Sequence, residues 1–99
     1  MNGGGYAEYC IALDPVTLPM PSGFDFKLAA ALPEALMTAW FNVFMLGRLK
    51  PQHWLLVHGG TSGVGTIAIQ LAHHAGANVI ATARNAAKLA VCELSLIHI

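Results

Sequence analysis

Residues 54–65 read Trp54-Leu55-Leu56-Val57-His58-Gly59-Gly60-Thr61-Ser62-Gly63-Val64-Gly65, and this stretch decides the fold. Its first five residues form an apolar run without alternation, which predicts a strand buried on both faces of a parallel sheet. The glycines that follow suit a tight turn. From Val64 onward Ile67, Ala68, Leu71, Ala72 and Ala75 fall at spacings of three and four, one apolar stripe of a helix. Gly76 is expected to stop that helix, and Val79-Ile80-Ala81 to begin a second strand. Strand, turn, helix and strand make a βαβ unit of about 30 residues, the size of half a mononucleotide-binding fold.

The turn has a chemical use. The first N–H groups of a helix lack partners within it, and the peptide dipoles place partial positive charge there. Glycines let a diphosphate approach that main chain closely. The strict dinucleotide fingerprint wants glycine at its first, third and sixth positions, here Gly60, Ser62 and Gly65, so the middle glycine is missing. Gly60 and Gly65 also have P-loop separation, but Thr66 and Ile67 stand where that loop needs Lys and Ser or Thr, which excludes it. The bland alternative is a turn that merely packs helix on sheet.

The second informative turn is Thr82-Ala83-Arg84-Asn85, ahead of a helix expected over residues 86–93 with Asn85 as N-cap. Enzymes that use NAD place an acid near here for the ribose hydroxyls. This chain has Arg84, and its nearest acid is Glu93, a helix away. Arg84 and Lys88 put positive charge beside a helix start, which suits a 2′-phosphate and favours NADP over NAD. Without an anionic ligand they are solvated charges in a mildly unfavourable place.

Composition bounds the rest. Of the 99 residues, 56% are apolar and 10% charged, against about 25% charged in an ordinary domain. A small domain has proportionally more surface and needs more charge, so an interior slice of a larger protein is expected. Zero net charge argues against nucleic acid or an anionic membrane as partner. No apolar run reaches the ~18 residues of a membrane span, the N-terminus lacks signal-peptide character, and a cytoplasmic setting is expected. Cys10 and Cys92 make no metal or disulfide pattern and are expected as apolar fillers. His53, His58, His73, His74 and His98 make no zinc motif. His58 closes the first strand beside the turn, as a packed, hydrogen-bonded residue or a neighbour of the cofactor.

Upstream, Tyr6 to Ala12 alternates and carries aromatics, predicting a strand entered from Gly3-Gly4-Gly5. Pro15, Pro19 and Pro21 forbid regular structure across Asp14 to Gly23, expected as an inter-domain linker. A short helix over residues 26–32 is expected to break at Pro33, which then opens a second helix over residues 34–46 that Gly47 ends. That second helix is apolar nearly all round and has to be buried on all sides.

Taken together, Gly4-Gly5-Tyr6-Ala7-Glu8-Tyr9, Ala29-Ala30-Ala31-Leu32-Pro33-Glu34, Thr38-Ala39-Trp40, His58 through Thr66, Ala68-Ile69-Gln70-Leu71-Ala72 and Lys88-Leu89-Ala90 resemble one family. It is the zinc-independent quinone oxidoreductases of the medium-chain dehydrogenase/reductase superfamily, the zeta-crystallin-like branch. The resemblance implies an α/β fold: a partial Rossmann (βαβα) dinucleotide-binding domain over residues 25–93, preceded over 1–24 by the tail and linker of a GroES-like β domain. Residues 94–99 break the pattern and are expected as a non-native tail. The implied cofactor is NADPH, without flavin or metal. The implied reaction is hydride transfer to a small-molecule quinone or α,β-unsaturated carbonyl, in a homodimeric parent.

Residue by residue, Ser62, Gly63, Val64 and Gly65 match the family's diphosphate turn, Thr38 a threonine near the nicotinamide, and Lys88 the lysine that meets the 2′-phosphate. Arg84-Asn85 departs from the usual Gly-Ser; Asn85 can still donate to phosphate, while Arg84 either reinforces the site or crowds it. The catalytic positions of the family have no counterpart here. An enoyl reductase of fatty-acid or polyketide type is the rival within this chemistry, and a catalytically inactive nucleotide-binding fragment the rival outside it.

Overall fold

In the computed structural model, which describes residues 4–96, a 3-10 turn at Asp14–Val16 precedes helix α1 (Phe26–Ala39), which runs on as a π-helical segment, Trp40–Leu46. Strand β1 (Trp54–His58), helix α2 (Gly63–His74), strand β2 (Asn78–Thr82) and helix α3 (Ala86–Leu96) complete the order. The strands pair in parallel, Trp54 opposite Asn78 through His58 opposite Thr82. The expected βαβα order is therefore present, with both strands in one sheet.

Helix α2 starts on Ser62, whose Oγ accepts from Gly65 N–H at 3.0 Å. It ends in a Schellman turn: Gly76, at φ +76°, donates to the His73 carbonyl, and Ala77 donates to the Ala72 carbonyl. Gln52 N–H donates to Gly76 O and Asn78 N–H to His53 O, both at 2.7 Å, so the helix exit is tied to the entry of β1.

The core gathers where α2 crosses the sheet: Val57, Ala68, Ile69 and Cys92, joined by Ala39 from α1. Ile69 is fully buried, although it lies outside the apolar stripe read from the spacing, whereas Val64 within that stripe is 40% exposed. The reason is that α2 is flanked by three neighbours, the sheet, α1 and α3, so its buried arc is wider than one stripe and leaves out its first turn.

Burial of the strands on both faces is not observed. Val57 is buried and Leu55 partly so, while Trp54, Leu56 and Ile80 are exposed at 69%, 54% and 50%. Alternate side chains of a strand point to opposite faces, and within these residues α2 covers only one of them.

The expected break at Pro33 is also absent: α1 continues through it. Proline removes one helical N–H bond and strains the preceding turn, a cost of about 3 kcal/mol in an ordinary helix interior. Here the flanking turns hold, capped by Asp25, which accepts from Leu28 N–H at 2.8 Å, and packed along α2. The Pro33 ring faces an apolar groove of about 470 Å3 shared with Leu18, Met20 and Pro21. Gly47 does end the helix, its N–H reaching back five residues to Asn42 O.

As one 21-residue helix of mean hydropathy 1.3, Phe26–Leu46 is long and apolar enough to cross a bilayer, which the sequence read as two pieces did not suggest. Nor is it enclosed: Met37, Trp40, Phe41 and Met45 are half exposed or more, and only Ala39 is buried. Trp40 stacks on Phe44 with centroids 4.8 Å apart.

The predicted strand at Tyr6 to Ala12 does not form; residues 4–13 are irregular and exposed, since among the described residues no second strand lies beside them to pair with. Cys10 lies exposed with them, contrary to the filler role expected for it, and Cys92 alone is buried. Helix α3 continues to Leu96, three residues beyond the expected end at Glu93. Gly3, Ile97, His98 and Ile99 lie outside the described residues.

Candidate functional site

The turn between β1 and α2 is tightly packed. Gly59 takes φ +70°, and Gly60 sits where a Cβ would lie 2.8 Å from Cys92 Sγ and 3.0 Å from Ile69 Cδ1. At Gly65 a Cβ would meet the Gly59 carbonyl at 2.6 Å. The missing middle glycine has a local explanation: Ser62 has φ −72°, open to any residue, and its hydroxyl is the α2 cap.

The amides divide into two sets. Gly60 N–H donates to Thr82 O at 3.0 Å, Ser62 N–H to Gly59 O at 2.9 Å, and Gly65 N–H to Ser62 Oγ. Those of Thr61, Gly63 and Val64 have no acceptor among the described residues. Of the four turn residues expected to meet a diphosphate, Gly63 and Val64 therefore present free N–H groups. The amides of Ser62 and Gly65 are consumed within the protein, and these two residues shape the turn instead. The free pair opens α2, where the helix dipole adds partial positive charge.

A cleft of about 420 Å3 lies over this corner, lined by Ser62, Gly63 and Val64 on one side and Ala30, Ala31, Glu34 and Ala35 of α1 on the other. Glu34 is the one charged side chain on that wall, and spacing gave no signal for it because α1 read as two helices. Thr38 follows Ala31, Glu34 and Ala35 at helical spacing on α1 and is exposed, its carbonyl accepting from Asn42 Nδ2 at 2.9 Å.

Across the carboxyl end of the sheet, Asn85 Oδ1 accepts from Lys88 N–H at 3.0 Å, which makes Asn85 the α3 cap. Arg84 and Lys88 are exposed, and neither has an ion-pair partner among the described residues. Both cations thus stand at the second helix start, beyond the end of β2. No three His, Cys, Asp or Glu side chains converge among the described residues.

A parallel βαβ with free amides at its helix start is the corner at which open α/β sheets bind nucleotides. Relatives of the chain agree with that class. Over 80 residues it is 39% identical to a quinone oxidoreductase of Rattus norvegicus, covering 81% of this chain and 24% of that protein. Over 82 residues it is 38% identical to a highly-reducing polyketide synthase of Aureobasidium melanogenum, covering 83% of this chain and 4% of that protein. The chain therefore spans a quarter or less of the curated relatives it matches.

Among solved structures, an NAD-dependent alcohol dehydrogenase superposes with TM-score 0.87 at 38% identity, over 93% of this chain and 27% of that one. The quinone oxidoreductase of Thermus thermophilus, solved also as its complex with NADPH, gives 0.72 at 32% identity over 78% of this chain and 26% of that one. No protein-family model matches. The quinone oxidoreductases and the alcohol dehydrogenase are thus proteins of the medium-chain dehydrogenase/reductase superfamily, and polyketide synthases match this chain at similar identity.

Proposed function

We propose that this chain is the nucleotide-binding part of an NADPH-dependent oxidoreductase that transfers hydride to a quinone or an α,β-unsaturated carbonyl. The observation that carries the reading is the pair of free amides at Gly63 and Val64, opening α2 at the carboxyl end of a parallel sheet. A diphosphate oxygen accepts from them and gains from the helix dipole. Arg84 and Lys88, cations without ion-pair partners among the described residues, stand at the start of α3, take the 2′-phosphate and select NADPH over NADH. Asn85 supports them from its capping position, and Thr38 serves the nicotinamide end from α1.

The cofactor supplies the hydride; the chain's residues bind and orient it. Residues 1–24 belong in this reading to the end of a substrate domain. The parent is a zinc-independent, zeta-crystallin-like, cytoplasmic homodimer acting on a small molecule, and this segment alone is catalytically inactive.

The likeness to polyketide synthases and to a solved enoyl reductase supports a second acceptor class, the enoyl thioester. Two measurements test the reading. The isolated chain is titrated with NADPH and NADH by nicotinamide fluorescence, and tighter binding of NADPH is expected. A longer protein carrying this segment is then assayed for NADPH oxidation by 1,4-benzoquinone and by a trans-2-enoyl thioester. Turnover with neither acceptor, or failure of the chain to bind NADPH, removes the proposal.

A further inference from the structure

His58 remains unused by the site as described. It ends β1 opposite Thr82, the last residue of β2, and its ring is exposed at the carboxyl edge of the sheet. Thr82 Oγ1 lies 3.0 Å from His58 Nδ1 and accepts from Gly59 N–H at 3.4 Å. The Thr82 carbonyl accepts from Gly60 N–H at 3.0 Å. One residue of β2 therefore grips the end of β1 and both of the first two glycines.

The direction of the His58–Thr82 bond depends on the imidazole tautomer. A hydroxyl offers one proton and two acceptor sites. Gly59 N–H can only donate, so it occupies an acceptor site on Oγ1. One acceptor site and the hydroxyl proton remain for His58 Nδ1, the hydroxyl's one other partner among the described residues, and taking the proton is the arrangement that aligns all three groups. The resulting series, amide to hydroxyl to imidazole, polarises in a single sense and each bond strengthens the next. A neutral imidazole that accepts at Nδ1 carries its proton on Nε2.

We propose that Thr82 is a positioning residue: through Nδ1 it holds neutral His58 as the Nε2–H tautomer, and His58 donates from Nε2 to a phosphate or ribose oxygen of the bound dinucleotide. The ligand half of this inference rests on the nucleotide reading above; the tautomer half concerns the unliganded chain alone.

Long-range proton–nitrogen spectra of the full chain at about pH 8, where an ordinary imidazole is neutral, decide the tautomer. The His58 signals are identified by their loss in His58→Ala. An Nε2-protonated pattern is expected, and an Nδ1-protonated one overturns the proposal. Binding of NADPH then tests the role. Thr82→Val should raise Kd about 2- to 10-fold, the range of one hydrogen bond, and Thr82→Ser should restore it.

In a His58→Ala background Thr82→Val should add nothing. A full Thr82→Val effect there means that Thr82 serves only Gly59, and overturns the proposal. Should Thr82→Val fail to fold, a second pair decides: His58→Gln keeps a donor near the Nε2 position and should bind NADPH better than His58→Asn. Equal losses in that pair refute donation from Nε2. A wild-type chain that binds no NADPH refutes the nucleotide reading and the ligand half with it, while the spectra still decide the tautomer.

Discussion

Ser62 Oγ and Gly65 N lie 3.0 Å apart, and that bond closes the start of α2 at a point where Gly65 has no room for a side chain. Stability and ligand binding can be separated here. Ser62→Ala removes the cap and should lower stability by about 1 kcal/mol, read from the urea midpoint. Ser62→Asp keeps a capping oxygen and should keep stability, but it sets a carboxylate beside the free amides and should weaken NADPH more than Ser62→Ala does. Gly65→Ala drives a Cβ against the Gly59 carbonyl, backbone on both sides, and should cost about 1–3 kcal/mol. An unchanged urea midpoint for Gly65→Ala refutes the described packing.

Lys88 and Arg84 stand at the start of α3 without ion-pair partners among the described residues. Lys88→Ala should weaken NADPH at least tenfold, the scale of a lost charge-assisted bond of about 1.5–3 kcal/mol, with NADH within about twofold. Arg84→Ala should act in the same direction. Isothermal titration with both nucleotides reads the ratio, and equal losses for NADPH and NADH remove these residues from cofactor selection.

The thiols report on packing. Cys10 is exposed and Cys92 is buried beneath Gly60. A disulfide exchange reagent should therefore titrate one thiol at once and the second only at the rate of opening of the fold. Cys10→Ser should abolish the fast phase alone. Two fast thiols would mean that α3 does not lie against the turn.

Pro33 interrupts the bonding of α1 without ending it. Pro33→Ala restores the N–H and should raise helix content and stability, by up to about 3 kcal/mol. Circular dichroism and thermal unfolding measure both. A loss of stability would show that the ring's packing in the Leu18–Met20 groove outweighs the missing bond.

Local chemistry was readable wherever neighbours in sequence determine it. The apolar run of Trp54 to His58, the stop at Gly76 and the caps of residue 85 and Gly47 each depend on a few adjacent residues, and each stands where expected. What depends on distant partners was not readable. Tyr6 to Ala12 alternates as a strand should, but a strand needs a neighbour and none is present among the described residues. Pro33 marks a boundary by propensity, and packing along α2 overrides it. Ile69 is buried because three elements surround α2, which no single stripe conveys.

The division of the turn's amides was likewise hidden. Glycine spacing locates a cradle but does not say which N–H groups the protein uses itself, since Thr82 and the Gly59 carbonyl decide that from elsewhere in the fold. Glu34 escaped for the same reason: only the crossing of α1 over the turn brings it to the cleft.

The two ends of the sheet are fastened differently, Gln52 and His53 to Gly76 and Asn78 below, Gly59 and Gly60 to Thr82 above. The turn over residues 59–65 is itself held at Gly59 and Gly60 by Thr82 and at Gly65 by Ser62 Oγ, so it keeps its shape whether or not anything occupies it. An arriving anion would find donors already aimed, so little chain entropy is lost at capture. Association should then be quick and its affinity set by dissociation, the behaviour of a preorganised receptor rather than one that wraps its guest.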